Sequence, residues 1–323
     1  MASAFVSAGG RNPDVLITSI NQQLNTAAPK EGLTYRDISY VDSVASGIYA
    51  QYPMRVASIK ERLMGPTQDR NFTDAEVISV SVKAGRIDGP AELYPISEMY
   101  DLYGLLANQS YDLIRQAQKI WDRLLAFAIN DNASTIQSSY DNAAFFGVHS
   151  TNPGRIGAPT FNNDIAAPAD ETGFLLAWEK MQSFLGFDGT YINADMGMPI
   201  ILCPTASIKL SFDKLINEGI IAKQVAGAAA SETTQLVGWA KTVLMPELVD
   251  ASNPITLKRW YLLNTRHSLR RSFIVRDFQK PQFILTGPND VFAHTKSAKA
   301  LYYEAQGGAG YGLPQLAVRC TIP

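Results

Sequence analysis

The sequence predicts an α+β fold with enough apolar material for about two domains, and three observations carry this reading. Apolar residues keep helical spacing from Tyr100 to Asn130. Strict alternation marks Val77-Ile-Ser-Val-Ser-Val82, and short apolar runs bounded by proline or glycine recur through the second half of the chain. The chain has 323 residues and is 46% hydrophobic, which suffices for two cores of ordinary size.

Residues 1–57 read as an arm with little core of its own. Asn12-Pro13-Asp14 opens a short amphipathic segment through Val15, Leu16, Ile17, Ile20 and Leu24, and Leu33 to Tyr52 settles on no single period. From Arg55 to Leu93 the chain reads as extended, with the alternating run bounded by Asp74, Gly85 and Gly89-Pro90. Charges of both signs crowd between Ser58 and Asp74: Lys60, Glu61, Arg62, Asp69 and Arg70. Such a segment has too few apolar positions for a buried sheet, so residues 58–93 are expected to form a long projecting hairpin.

The strongest local signal follows. Leu102, Leu105, Leu106, Leu113, Ile114, Ala117, Ile120, Trp121, Leu124, Leu125 and Ala128 recur at steps of three and four. Asp112, Arg115, Gln116, Lys119 and Arg123 occupy the opposite face. A continuous helix of about thirty residues at ~1.5 Å each would be ~45 Å long. The mean globular helix has only about a dozen residues, so this one reads as a structural spine.

Asn130 to Asp170 is rich in Asn, Ser, Gly, Pro and Asp and reads as a long loop region. Helical spacing returns from Thr172 to Leu185, and Pro199-Ile-Ile-Leu-Cys-Pro204 reads as a buried strand. Ala206 to Glu218 is a further helix with Leu210, Leu215 and Ile216 on its apolar side. Val237 to Val249 and Ile255 to Leu263 look like strands. So do Phe273 to Val275, Phe283 to Leu285, Val291 to Phe292 and Leu301 to Tyr303. Gly307-Gly-Ala-Gly-Tyr-Gly312 reads as a flexible turn feeding the last strand.

Composition narrows the function classes. A formal net charge of −2 and a pI near 6.0 argue against a whole-chain nucleic-acid binder. The apolar runs fall far short of the ~20 residues that span a bilayer. Met1-Ala-Ser-Ala-Phe5 lacks the basic start and apolar stretch of a secretory signal, so synthesis in the cytoplasm is expected. Cys203 and Cys320 lie far apart without CxxC spacing and read as two small buried hydrophobes.

The search for catalytic chemistry returns nothing. His149, His267 and His294 share no close spacing and no cluster with Cys or carboxylates, so no metal site and no cofactor are expected. Neither G-x-S-x-G nor a Walker-type phosphate loop occurs. One charge asymmetry stands out: Lys258, Arg259, Arg266, Arg270, Arg271, Arg276 and Lys280 share a stretch whose only acid is Asp277. Three readings stay open: a solvated or internally paired face, contacts to acidic residues of a neighbouring subunit, and direct phosphate contact.

These parts, in this order, resemble the major capsid proteins of tailed phages of the Hong Kong 97 type. Two stretches are similar to the head subunit of Mu-like phages. Tyr140-Asp-Asn-Ala-Ala-Phe-Phe-Gly-Val-His149, followed by Pro153, resembles that family's D-G-x-x-F-F-x-x-x-H-P segment, with Asn142 in place of the usual glycine. Trp260-Tyr-Leu-Leu-Asn264 and Gly307 to Leu316 resemble its W-x-L-L-x strand and its G-x-x-G-Y-G-x-x-Q-L ending, with Pro314 where an aromatic residue is usual.

The resemblance implies a Hong Kong 97-type architecture: an N-terminal arm (1–57), an extended loop (58–93), a peripheral domain (94–171) with its spine helix (100–130), an axial domain (172–262), and C-terminal strands returning to the peripheral domain (263–323). It implies a shell of hexamers and pentamers around double-stranded DNA, in a virion assembled in the bacterial cytoplasm. DNA is enclosed without sequence-specific binding, and no membrane is involved. No long acidic helical extension precedes the arm, so a separate scaffolding protein is expected, with a portal and decoration proteins as further partners. Candidate intersubunit contacts are Arg259, Arg266, Arg270, Arg271 and Arg276, together with Lys60, Glu61, Arg62, Asp69 and Arg70. The rival readings are an encapsulin-like shell of the same fold and, from another class, a two-domain cytoplasmic enzyme or ligand-binding protein.

Overall fold

The computed structural model describes residues 33–43, 49–55, 77–89, 92–95, 116–131, 139–153, 157–187, 189–225, 228–266, 271–285 and 298–323. A single helical turn, α1 (Tyr35–Ile38), runs into β1 (Ser39–Asp42). Next, β2 (Tyr49–Arg55) and β3 (Val77–Lys83) pair antiparallel along their whole length, from Tyr49↔Lys83 to Arg55↔Val77. They flank the charged segment, whose residues 56–76 lie outside the described set. β4 (Gly85–Asp88) and β5 (Glu92–Pro95) follow.

Of the spine helix expected over 100–130, residues 100–115 lie outside the described set; residues 116–118 are helical, and α2 (Ile120–Asp131) follows a turn at Lys119. The stretch expected to be loop contains β6 (Val148–Ser150), β7 (Thr160–Asn162) and β8 (Asp164–Ala166). Three residues are too few for an alternation to register, so these strands exist only through their partners.

α3 (Glu171–Gln182) starts where the Asp170 carboxylate accepts the Gly173 N–H at 2.9 Å. β9 (Ile200–Cys203) leads to α4 (Ala206–Asp213), where the Thr205 hydroxyl accepts the Ile208 N–H. The helix continues as one wide turn over Lys214–Glu218 and stops at Gly219, whose φ of 68° is left-handed. Leu215 and Ile216 are buried as expected, but Leu210 points to solvent. β10 (Ile220–Val225) and β11 (Ala228–Thr233) form a hairpin.

β12 (Lys241–Leu244) and β13 (Arg259–Leu263) are shorter than the strands expected at 237–249 and 255–263, because Pro246 and Pro254 open 3-10 turns. The short strands expected at 273–275 and 283–285 are parts of one long strand, β14 (Phe273–Leu285), and that at 301–303 lies within β15 (Ala298–Tyr311), followed by β16 (Ala317–Thr321); the strand expected at 291–292 lies outside the described residues.

Two five-stranded sheets organise the chain. The first runs β1-β14-β15-β4, with β5 also on β15, and only the β1–β14 pair is parallel. The second runs β12-β9-β13-β16-β8. Its central strands are continuously apolar because both faces are covered. Ile200, Leu202, Tyr261, Leu263 and Ala317 face one core with α2 and the first sheet. Ile201, Cys203, Trp260, Leu262, Val318 and Cys320 face the other, with α3 and α4. The two cysteines are therefore free core residues, and burial pushes the Cys203 thiol up to about 12.

Three sequence expectations change. Residues 33–42, placed with the arm, belong to the body: Tyr35 and Ile38 are core residues, and β1 is a strand of the first sheet. The C-terminal strands divide, with β14 and β15 in the first sheet and β16 in the second. The glycine run is no flexible turn, since Gly307 to Gly310 lie inside β15. A Cβ on Gly307 would sit 2.0 Å from the Arg276 carbonyl oxygen and 2.4 Å from the Trp121 ring. Glycine is required there for close approach of a helix and a neighbouring strand.

Candidate intersubunit surface

Three side chains of the basic stretch are bonded within the chain, while Lys258 and Lys280 are exposed. Arg276 is 0% exposed, donates to the Val82 carbonyl at 3.0 Å, and lies 4.0 Å from the Phe278 ring centroid. It ties the base of the β2–β3 hairpin to β14, so an intersubunit or phosphate contact through Arg276 is corrected to a buried structural role. Arg271 is half-buried and donates to the Asp37 carbonyl at 3.1 Å, which anchors α1. Arg266 pairs with the Asp195 carboxylate and donates to its carbonyl at 3.2 Å. Arg259 is half-buried near Tyr261. Arg270, Lys60, Glu61, Arg62, Asp69 and Arg70 lie outside the described residues. The stretch was legible as basic, but its internal acceptors are backbone carbonyls far away in sequence.

Asp122 is a structural residue that the sequence pattern hides. It is 1% exposed on α2, and its carboxylate accepts the Tyr35 N–H at 2.7 Å and the Thr34 N–H at 3.4 Å. Burial pushes its pKa up to about 6, against the lowering effect of the two backbone donors. Nearby, Lys119 pairs with Glu247 at 2.5 Å. The side chain thus fixes the start of α1 on the helix.

The motif around Asp141 folds as a tight turn. Asn142 has φ 60°, the left-handed conformation that glycine adopts freely and asparagine tolerates, which explains how Asn142 can stand in the place usually held by glycine. Phe145 and Phe146 fill the junction between the sheets: Phe145 stacks on Tyr311 at 4.7 Å and meets Phe273 at 5.1 Å, and Phe146 meets Tyr261 at 5.5 Å. Arg319 lies 4.9 Å over Phe146 and forms a two-pronged pair with Asp164, at 2.9 and 2.5 Å. His149, a loop residue by sequence, is a buried, fully bonded one, stacked on Phe161 at 5.2 Å.

Several large apolar side chains are open at the surface. Val148 (64%), Tyr191 (63%) and Phe127 (59%) are the most exposed large hydrophobic residues among those described, and Met198, Leu210, Val237 and Trp239 join them. Phe127 borders an apolar groove of about 270 Å³ between α2 and β15, with Lys83 and Asp131 on its walls. The signal that could have found Phe127 is its place four residues after Arg123, which puts an aromatic residue on the polar face of the helix. Exposed apolar side chains scattered over several elements are ordinary for a protein surface. Among the described residues no helix is long and apolar enough to cross a membrane, and no cluster of metal-ligating side chains occurs.

No family model matches the chain, and no curated protein matches it in sequence. Solved structures do match. The chain is similar to the capsid of cyanophage P-SCSP1u, with 13% identity, a TM-score of 0.53, and 91% of each chain covered. It is also similar to the mature capsid of bacteriophage PhiM1, with 10% identity and a TM-score of 0.54 over 90% of this chain and 87% of that one. The capsid of a native GTA particle gives 10% identity and 0.54 over 90% and 89%. A likeness that spans both chains almost end to end at such low identity is one of backbone architecture. The chain has the fold of tailed-phage capsid subunits, the Hong Kong 97 type.

Proposed function

We infer that the chain is the major capsid subunit of a tailed bacteriophage, a structural protein that assembles with copies of itself into the head shell. The observation that carries the reading is the match to capsid subunits over about nine-tenths of the chain. In this reading the first sheet and α2 form the peripheral domain, and the second sheet with α3 and α4 forms the axial domain around five-fold and six-fold axes. The mild net charge of −2 suits a container whose DNA must move in and out, because a strongly basic lining would grip it. A scaffolding protein, a portal and decoration proteins are the further partners, and the assembled virion is the site of action.

Electron microscopy of particles purified from cells making the protein with its assembly partners tests this. Icosahedral shells with packed DNA and one tail vertex are expected. Shells filled with protein cargo and lacking a tail vertex would favour an encapsulin-like compartment, and a stable, active monomer would overturn both.

A further inference from the structure

The proposal concerns His149 and does not depend on the shell reading. Its ring is sealed from solvent, at 1% exposure, and each nitrogen faces a group that accepts hydrogen bonds. Nε2 lies 2.9 Å from the Phe145 carbonyl oxygen, which also accepts the Asn163 side-chain N–H at 3.0 Å. Nδ1 lies 3.1 Å from both oxygens of Asp141. That carboxylate further accepts the backbone N–H of Ala143 and of Ser150, both at 3.2 Å. A carbonyl oxygen has no proton to give, so Nε2 must donate. Two backbone donors already favour the ionised carboxylate, so Nδ1 must donate as well.

We propose that His149 is held as a doubly protonated imidazolium, and that Asp141, His149 and the Phe145 carbonyl form a proton-dependent clasp on the turn that seats Phe145 and Phe146 between the two sheets. Loss of one proton leaves a nitrogen lone pair facing an acceptor inside the core. That contact is repulsive whichever tautomer remains. The other groups around the ring do not replace the proton. Tyr140, ring centroid 6.3 Å away, donates its hydroxyl proton to the Ser150 carbonyl, and Phe161 on β7 presents only a ring. Arg319 on β16 lies over Phe146 and is paired with Asp164. The clasp thus holds the turn at the sheet junction through a proton on each ring nitrogen, apart from the ladder of either sheet.

The test is nitrogen NMR of ring-labelled protein, with the His149 signals assigned through His149→Gln. Both ring nitrogens are expected to carry protons at neutral pH. Asp141→Asn is the second variant: its amide can donate to Nδ1 while its oxygen keeps one of the two backbone contacts, so the ring should become a neutral Nε2–H tautomer. A neutral ring in the wild-type protein at neutral pH, or a ring that still carries both protons in Asp141→Asn, would overturn the proposal.

Discussion

Adding one methyl group at Gly307 probes the close packing of α2 on β15. The new Cβ would lie 2.0 Å from the Arg276 carbonyl oxygen and 2.4 Å from the Trp121 ring, where ordinary contacts begin near 3.4 Å. The carbonyl belongs to β14, which pairs with β15 through Asp277↔Gly307 and Arg276↔Gly308, so it cannot retreat without prying the strands apart. Trp121 is itself buried at the centre of the first core, with no space behind it. Overpacking of this kind costs typically about 1–3 kcal/mol, and two immovable neighbours put Gly307→Ala at about 3. At about 2 °C per kcal/mol for a chain of this size, the midpoint of the unassembled subunit should fall by about 6 °C. Trp121 fluorescence supplies the assay, because the perturbed ring reports on its own site. The control is Gly85→Ala on β4, where the added Cβ meets nothing within 4 Å and no loss is expected. Equal midpoints for wild type and Gly307→Ala would refute the close packing of α2 on β15.

Other outcomes follow from the same reasoning. Burial raises the Asp122 carboxyl to about 6 in the folded state, above the usual carboxylate range, so the folded state takes up a proton before the unfolded one does. Stability of the wild type should therefore rise, relative to Asp122→Asn, as the pH falls from about 6 to about 4, as read by urea unfolding. Asp122→Ala leaves two buried N–H donors without a partner and should cost about 1–3 kcal/mol. Arg319→Leu strands part of the Asp164 charge between β8 and β16; with Asp164 about one-third exposed, a loss of about 1–3 kcal/mol is expected in chemical denaturation. Deleting residues 1–30 should leave the subunit's melting curve intact while abolishing or weakening shells in sedimentation. Normal shells would count against the arm.

What could be read from the sequence depended on how local each cause was. The apolar runs Ile200–Cys203 and Trp260–Leu263 announced themselves because a sheet buried on both faces needs no polar alternation. The helical period around Trp121 and Leu125 was equally plain. The glycine run read as a turn because nothing near it in sequence reveals that Trp121, almost two hundred positions earlier, presses on it. Arg276 read as a candidate intersubunit contact because its acceptor is the Val82 carbonyl, 194 positions away. Asp122 carries no local signal, since its partners at Thr34 and Tyr35 lie 88 and 87 positions before it. His149 stands between these cases: Asp141 is only eight residues away within one motif, yet the Phe145 carbonyl that completes the set becomes visible only once the turn has closed.

The most direct test of the central claim is sedimentation of the purified full-length chain across a range of concentrations, alone and with its scaffolding partner. The shell reading predicts that the 35.3 kDa subunit passes into hexamers and pentamers and then into closed particles of several megadaltons. A single 35.3 kDa species under every condition would contradict it.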